Sequence, residues 1–217
     1  MPRTALVQAS EEALRDVCRV FEGTAMTRAS QPFFDALYEA GEDIRYPLFL
    51  RSGHTAGKYN WRHTCYVEKE KEFQDHIIAL IEYSDVISLG RFSCEWWAVR
   101  ELLPLQPVVS APLFADMPVC REFRAFVVDG AVRCLHPYWS AHTLEQGGVM
   151  DAEAVCVELA RLNDECYIRS LAASAGKAMD GGAWSVDILQ TRRGWTIVDM
   201  AEAKKSHHKS GCTNRFD

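Results

Sequence analysis

The chain has 217 residues, of which 48% are hydrophobic and 25% are charged, and its formal net charge is −6. This length and composition suit one domain or two closely packed lobes of ordinary globular type. The acidic balance argues against nucleic acid as a partner, because nucleic-acid binding leaves a basic footprint. The apolar runs are too short to span a membrane and the N-terminus has no apolar signal core, so we expect a cytoplasmic protein.

The eight cysteines include no C-x-x-C pair, and several of them lie within apolar runs. This pattern favours free thiols in a reducing compartment over a disulfide framework or a zinc knuckle. His207, His208 and Cys212 could be taken for a metal cluster near the C-terminus. A tail rich in Lys, His and Ser is more often exposed, however, so we expect this one to be solvated.

Residues 1–45 are predicted to be a helical N-terminal segment. A helical pattern begins after Ser10, a suitable N-cap, and continues through Phe21. A second helix begins at Gln31 and should end before Gly41, because glycine commonly follows the last turn of a helix. No residue of this segment indicates a chemical function.

A loop with glycine and basic residues follows the first predicted strand, Tyr46–Arg51. The loop, residues 52–61, contains Gly57 and Lys58. Glycine lets backbone N–H groups approach an anion, and Arg51 and Lys58 could neutralise its charge. The spacing is not that of a P-loop, and an ordinary hairpin loop is the alternative interpretation.

Three elements are predicted next: a returning strand over Arg62–Val67, a helix over Lys69–Tyr83 and a buried strand over Ser93–Leu103. In the last of these, Arg100 and Glu101 interrupt an apolar run. Their main chain could be a hinge that contacts a nucleobase. Alternatively, the strand ends there and reaches water.

Asp129-Gly130 is the strongest short hairpin signal, and it lies between strands predicted over Val119–Val128 and Ala131–Trp139. The period of two in a strand places Glu122 and Arg124 on one face. This pairs a hydrogen-bond acceptor with a bidentate anion donor. A surface ion pair is the alternative.

The connection after residue 103 contains four prolines by residue 118 and is predicted to be a loop. One helix is predicted over Asp151–Ser170, ending no later than Gly176. The order of elements, with hairpins after a helix-rich start, predicts an α+β fold with antiparallel sheets rather than a doubly wound one.

The stretch Trp184–Lys205 is predicted to form two strands joined by a tight turn at residues 192–194. Asp187 and Asp199 lie within these apolar strands, equally far from Arg193, so antiparallel pairing would set them level. Adjacent carboxylates repel, and a divalent cation between them would remove the repulsion. The alternative is that both side chains face solvent.

Four of these segments resemble, in the same order, parts of the ATP-grasp superfamily: FLRSGHTAGK, WAVRELL, CREFRAFVVDG and SVDILQ…GWTIVDMAE. The chain most resembles the divergent clade that includes eukaryotic cell-division-cycle proteins, which assist assembly of a translation initiation factor. Bacterial and phage members of that clade are proposed to modify proteins. The resemblance covers roughly residues 46–203.

The resemblance implies an ATP-grasp fold of two α+β lobes with the nucleotide bound between them. Residues 46–103 would be the small lobe, and residues 104–217 the large lobe with a metal-binding hairpin. Residues 1–45 would be a reduced N-terminal region.

The resemblance also implies roles for residues of the small lobe. Arg51 stands where the family usually has a phosphate-binding lysine, and Lys58 resembles the loop lysine, which is a candidate catalytic residue. Val99, Arg100 and Glu101 match the hinge whose main chain reads adenine.

In the large lobe, Glu122 matches a position that contacts ribose in relatives, and Arg124 matches a catalytic position that reaches the terminal phosphates. Asp187 and Asp199 match the ligands of Mg²⁺.

The family usually has Asn two residues after the second metal carboxylate, where this chain has Ala201. Glu202 is the nearest substitute as a metal ligand. A regular strand would point Glu202 to the opposite face, which bears on the second Mg²⁺.

The implied function is an ATP- and Mg²⁺-dependent carboxylate-amine ligase that acts through an acyl phosphate, with a protein or peptide among the candidate substrates. One alternative is an ATP-binding assembly factor without ligase activity, which Ala201 favours. Another is a phosphotransferase that uses the same site.

Overall fold

The computed structural model describes residues 1–88 and 95–214. They form two compact units, each with its own antiparallel sheet and helices. The first unit comprises Pro2–Leu102 and Pro112–Met117, and the second comprises Leu103–Ala111 and residues 118–214. The predicted α+β fold with antiparallel sheets is confirmed. Among the described residues, no helix combines the length and the apolar character needed to cross a membrane.

The first unit contains a four-stranded sheet and three α-helices. They are β1 (Thr4–Gln8), β2 (Leu48–Ser52), β3 (Tyr66–Val67), β4 (Trp96–Glu101), α1 (Glu11–Cys18), α2 (Gln31–Ile44) and α3 (Phe73–Ser88). The strands pair antiparallel in the order β1-β4-β2-β3. The helices cover one face of the sheet, where Leu37, Leu50 and Trp97 are completely buried.

β1 was not predicted from the sequence. It pairs with β4, so that Thr4 lies opposite Arg100 and Gln8 lies opposite Trp96. This five-residue stretch has no flanking turn signal, and its partner is about ninety residues away in the chain. A long-range pairing, rather than local propensity, therefore determines this strand.

The helix predicted to end before Gly41 continues to Ile44, so that predicted boundary is wrong. A Cβ on Gly41 would lie 3.0 Å from the Tyr46 hydroxyl and 3.2 Å from the Phe73 ring. Gly41 therefore permits a close approach inside the core instead of ending the helix. The predicted N-cap is confirmed, because the Ser10 hydroxyl accepts a hydrogen bond of 3.1 Å from the Ala13 amide.

The strand predicted over Arg62–Val67 is reduced to β3, because Lys58–His63 forms a 3₁₀ helix. The described part of the strand predicted from Ser93 begins at Trp96, and residues 93–94 lie outside the described ranges. Of its two tryptophans, Trp97 is buried and Trp96 is 49% exposed. β4 thus alternates between a core face and an outer face.

The second unit contains two sheets and three α-helices. Its elements are β5 (Pro107–Ala111), β6 (Met117–Cys120), β7 (Glu122–Val128), β8 (Ala131–Pro137), α4 (Ala141–Gln146), α5 (Ala152–Leu159), α6 (Glu165–Lys177), β9 (Ala183–Thr191) and β10 (Gly194–Glu202). β5 and β6 pair in a region predicted to be a loop, and the main sheet has the order β10-β9-β7-β8. α6 covers one face of this sheet over a core that includes Phe123, Ala125, Ile168, Ala172, Val186 and Ile188.

The hairpin between β7 and β8 turns at Asp129 and Gly130, as predicted. Their φ angles are 48° and 75°, and Val128 pairs with Ala131. Two successive residues with positive φ are typical of a type I′ turn, which matches the twist of the flanking strands.

The single helix predicted over Asp151–Ser170 is wrong, since the chain forms α5 and α6 with a break at residues 160–164. Asp164, at the start of α6, accepts a 3.0 Å hydrogen bond from the indole Nε1 of Trp195 in β10. This long-range contact holds the break in place, and no local pattern in the sequence indicates it.

Candidate functional site

A buried ion pair lies on the face of the second unit's main sheet that is opposite α6. Arg124 in β7 is the cross-strand partner of Asp187 in β9. The guanidinium donates two hydrogen bonds to the carboxylate, from Nε to Oδ1 and from Nη2 to Oδ2, both 2.7 Å long. Asp187 is only 6% exposed, and this bidentate contact neutralises a charge that would otherwise be costly to bury.

Two further groups surround the Arg124 guanidinium. The guanidinium carbon lies 4.9 Å from the centroid of the Tyr138 ring, and Nη1 donates a hydrogen bond of 3.4 Å to the carbonyl of His207. Burial acts to lower the pKa of Arg124, but the hydrogen bonds and charge of Asp187 outweigh it and raise that pKa above its ordinary value. Arg124 is therefore a fixed cation at this site. Sequence analysis missed Tyr138 and His207, which reach Arg124 only through the strand pairing and the path of the tail.

A β-bulge at Val198 sets Asp199 level with Asp187. From the turn outward, β9 and β10 pair in one register as far as Ile188 opposite Ile197, and the next pair is Asp187 opposite Asp199. Without the extra residue, Val198 would lie opposite Asp187. The two carboxylates are thus direct cross-strand neighbours on one face, as their spacing around Arg193 predicts.

Glu122 lies on the same face, two residues before Arg124 and opposite Leu189. Its side chain is buried. This arrangement agrees with the alternation predicted for β7, and it adds a third carboxylate to the face that carries Asp187 and Asp199.

Glu202 is not brought to the two aspartates. It ends β10 opposite Trp184, and Ala201 takes the position two residues after Asp199 on the same face. The Glu202 carboxylate instead lies 3.2 Å from the Lys205 amine and 3.3 Å from the Lys204 amine. Its hydrogen bonds with Lys205 and then Lys204 lower its pKa.

The basic residues predicted to bind phosphate lie in the first unit. Arg51 is half-buried on the face of β2 away from the core, opposite Ala98. Arg100 shares that outer face of the sheet. Lys58 begins the 3₁₀ helix directly after Gly57, whose φ of 58° favours glycine.

The predicted adenine hinge lies in the centre of the first sheet. Val99 pairs with Ala5 on one side and Leu50 on the other, and Arg100 is also paired on both sides. At Glu101 the amide donates a 2.9 Å hydrogen bond to the Arg3 carbonyl. The main-chain groups of these residues thus take part in the sheet, largely because of β1.

A pocket of about 480 Å³ lies elsewhere in the first unit, and its lining includes Arg62, Tyr66, Glu72 and His76. None of the predicted nucleotide or metal residues lines it. We therefore assign it no part in the predicted chemistry.

Comparison with protein families decides the relationship. The sequence profile of an ATP-grasp domain, family 3 of its clade, matches residues 39–215. The chain belongs to this ATP-grasp family. The predicted membership of the superfamily is confirmed. No curated protein matches the chain.

Solved structures add a likeness in fold to this ATP-grasp membership. C-terminally truncated Cdc123 from Schizosaccharomyces pombe has 9% identity and a TM-score of 0.52, over 93% of this chain and 78% of its own. A RimK domain ATP-grasp protein from Sphaerobacter thermophilus has 14% identity and a TM-score of 0.44, over 93% of this chain and 52% of its own. The chain thus spans about half the length of that protein. At such low identity, the likeness to Cdc123 concerns the fold alone.

The carboxylates of this ATP-grasp chain fit a hard divalent cation. Both oxygens of Asp187 accept hydrogen bonds from Arg124, but an ionised carboxylate has about four acceptor positions, so each oxygen retains capacity for a metal. Asp199 contributes a second carboxylate from the neighbouring strand. Carboxylate oxygens are the protein ligands that Mg²⁺ prefers.

Proposed function

We propose that this ATP-grasp protein is an ATP- and Mg²⁺-dependent ligase that joins a carboxylate to an amine. The observation that carries the proposal is the set of Arg124, Asp187 and Asp199 on one face of the second sheet, in a chain of this family. It combines a fixed guanidinium with two adjacent carboxylates, which suits a phosphate group and the cation that accompanies it.

In this proposal Asp187 and Asp199 hold Mg²⁺, which supplies charge neutralisation to the phosphates. Arg124 stays paired with Asp187 and offers its remaining N–H groups to the terminal phosphate. Glu122 is proposed to contact ribose. Glu202 would have to leave Lys204 and Lys205 to become a metal ligand, so we give it no part in the first cation.

The first unit supplies the other residues of the proposal. Arg51 and Lys58 would spread the charge that develops on the phosphates. Because the main chain of Val99 and Arg100 is paired on both sides, we propose that these residues set the strand that ends beside the adenine, and that Glu101 is the hinge residue nearest to it.

The chemistry proposed is that of an acyl phosphate. A carboxylate oxygen attacks the terminal phosphorus of ATP, and the bond to the bridging oxygen breaks to release ADP. The amine nitrogen then attacks the acyl carbon, phosphate leaves with the carbon–oxygen bonding electrons, and the nitrogen loses a proton. Positioning and electrostatic stabilisation supply most of the acceleration in phosphoryl transfer.

The test is ADP release by the purified chain with MgATP and panels of amino acids and peptides as acceptors. We expect Asp187→Asn and Asp199→Asn to lower acceptor-dependent ADP release by at least about 100-fold, since they remove charge from the proposed metal site. Asp151→Asn is the matched control, because Asp151 is exposed and Asn tolerates its φ of 51°. Undiminished ADP release in both site variants would contradict the assignment.

A second candidate function is an ATP-binding assembly factor without ligase activity, and Ala201 is the observation that favours it. On the face that carries Asp199, the position two residues later offers only a methyl group. Tight binding of MgATP without ADP formation across the acceptor panel would select this function. If ADP does form, the product mass distinguishes an amide from the phosphate ester that a phosphotransferase would make.

A further inference from the structure

Four potential metal ligands converge on the outer strand of the second unit's main sheet. Cys134 and His136 lie two residues apart on β8 and therefore point to the same face. His208 and Cys212 come from the C-terminal tail. One ligand atom from each of the four residues lies within 4.8 Å of the others.

The spacing of these atoms matches a tetrahedral zinc site before contraction around the ion. Sulfur and nitrogen ligands at about 2.0 to 2.3 Å from Zn²⁺ lie about 3.3 to 3.8 Å from one another. The Cys134 sulfur lies 3.2 Å from Nε2 of His208. Small adjustments of the tail would therefore close the set around one ion.

The surroundings of the cluster also favour a metal. Nε2 of His136 is buried and has no hydrogen-bond partner among the described residues, which is unusual for a polar atom. The Phe126 ring packs against His208 at a centroid distance of 4.1 Å, and Cys134 is buried. Burial, with the neighbouring Cys212 thiol, raises the pKa of Cys134. Zn²⁺ would reverse this by binding both thiols as thiolates, and two thiolates with two neutral imidazoles leave the site without net charge.

We propose that Cys134, His136, His208 and Cys212 bind one structural Zn²⁺ ion. Four protein ligands fill the tetrahedron, so the ion has no open position for catalysis. The tail, which the sequence predicts to be solvated, would instead be fastened to β8.

The site would also order the neighbourhood of the proposed phosphate group. Residue His207, next to a zinc ligand, accepts a hydrogen bond from Arg124 through its carbonyl. Ser206, one residue earlier, has its hydroxyl 2.6 Å from that of Ser185. Zinc would therefore hold the segment that touches Arg124, although its binding does not depend on the nucleotide function.

The experiment measures metal content of the full chain, purified with a thiol-blocking reagent present at lysis in one half of the preparation. We expect one zinc per chain in the unblocked half by elemental mass spectrometry. After removal of zinc, Co²⁺ should restore thiolate charge-transfer and tetrahedral ligand-field absorption. Cys212→Ser and His208→Ala, in the tail, should weaken metal binding by at least about 10-fold.

Cys166→Ser is the matched control, because Cys166 is an exposed thiol on α6 outside the cluster, and it should retain full zinc content. A reduced, folded chain that takes up neither Zn²⁺ nor Co²⁺ would overturn the proposal. So would a Cys134–Cys212 disulfide found by peptide mass mapping in the blocked half. Equal zinc content in Cys212→Ser and the original chain would also overturn it.

Discussion

The most constrained residues of the molecule are Arg124 and Asp187, which are each other's bidentate partner in a largely buried position. A buried ion pair contributes little net stability when compared with apolar residues of similar volume. Removing one partner, however, leaves the other charge buried and uncompensated. A structural role of Arg124 can therefore be separated from a role in binding by unfolding measurements.

We predict that Arg124→Ala lowers the free energy of unfolding by about 3 kcal/mol, because Asp187 loses both hydrogen bonds in a buried position. The double variant Arg124→Met/Asp187→Leu should recover more than half of that loss, since no unpaired charge remains. Urea unfolding followed by tryptophan fluorescence measures both.

The control for this prediction is Arg169→Ala, which breaks the exposed pair of Arg169 with Glu165 at 2.6 Å. Its cost should be at most about 0.5 kcal/mol. A double variant that is less stable than Arg124→Ala would show that the pair stabilises the fold beyond satisfying its own charges.

At the scale of single residues, the sequence predicts chemistry better than contacts. The equal spacing of Asp187 and Asp199 around Arg193 predicts their level pairing, but the level arises from a different route. The turn is two residues long and the bulge at Val198 compensates for it. Alternation along β7 likewise predicts that Glu122 and Arg124 share a face. The partner of Arg124 depends on which strand lies beside β7, which no local pattern contains.

Among the elements, those with local signals were predicted and those held by distant contacts were not. The Asp129-Gly130 turn requires two positive φ angles, which these residue types tolerate, so its position follows from the sequence. By contrast, β1 depends on pairing with β4, and the break before α6 depends on Trp195. The tail escaped prediction for the same reason, because its contacts lie on β7, β8 and β9.

The packing of α6 against β7 gives a prediction at this scale. A Cβ on Gly176 would overlap with the Cγ1 methyl group of Val127, and both residues are buried. Gly176→Ala should therefore lower the free energy of unfolding by about 1 to 3 kcal/mol through overpacking, despite alanine's helix propensity. Thermal and urea unfolding measure the change.

Ser174→Ala is the control for Gly176→Ala, because Ser174 is exposed on the same helix. It should leave stability unchanged or raise it by a few tenths of a kcal/mol through helix propensity. A stabilising Gly176→Ala would mean that β7 and α6 separate easily, and the core of the second unit would then be looser than its buried residues indicate.

At the scale of the whole molecule, the proposed nucleotide residues are divided between the two units. Arg51 and Lys58 belong to the first unit, whereas Arg124, Asp187 and Asp199 belong to the second. A ligand that binds only the native state stabilises it by an amount set by its concentration and affinity. If one nucleotide uses both sets, its binding must register in both units.

We predict that a non-hydrolysable ATP analogue with Mg²⁺, at about 100 times its Kd, raises the Tm by roughly 5 to 10 °C, since it adds about 2.7 kcal/mol to stability. Hydrogen exchange should slow at residues 51–58 and also at residues 122–124. Asp199→Asn should lose the Mg²⁺-dependent part of the Tm shift, because one of two metal carboxylates is neutralised, while Asp151→Asn keeps it. Protection confined to one unit would contradict the division of the site, because a nucleotide held by the basic residues and the carboxylates together cannot leave either set unaffected.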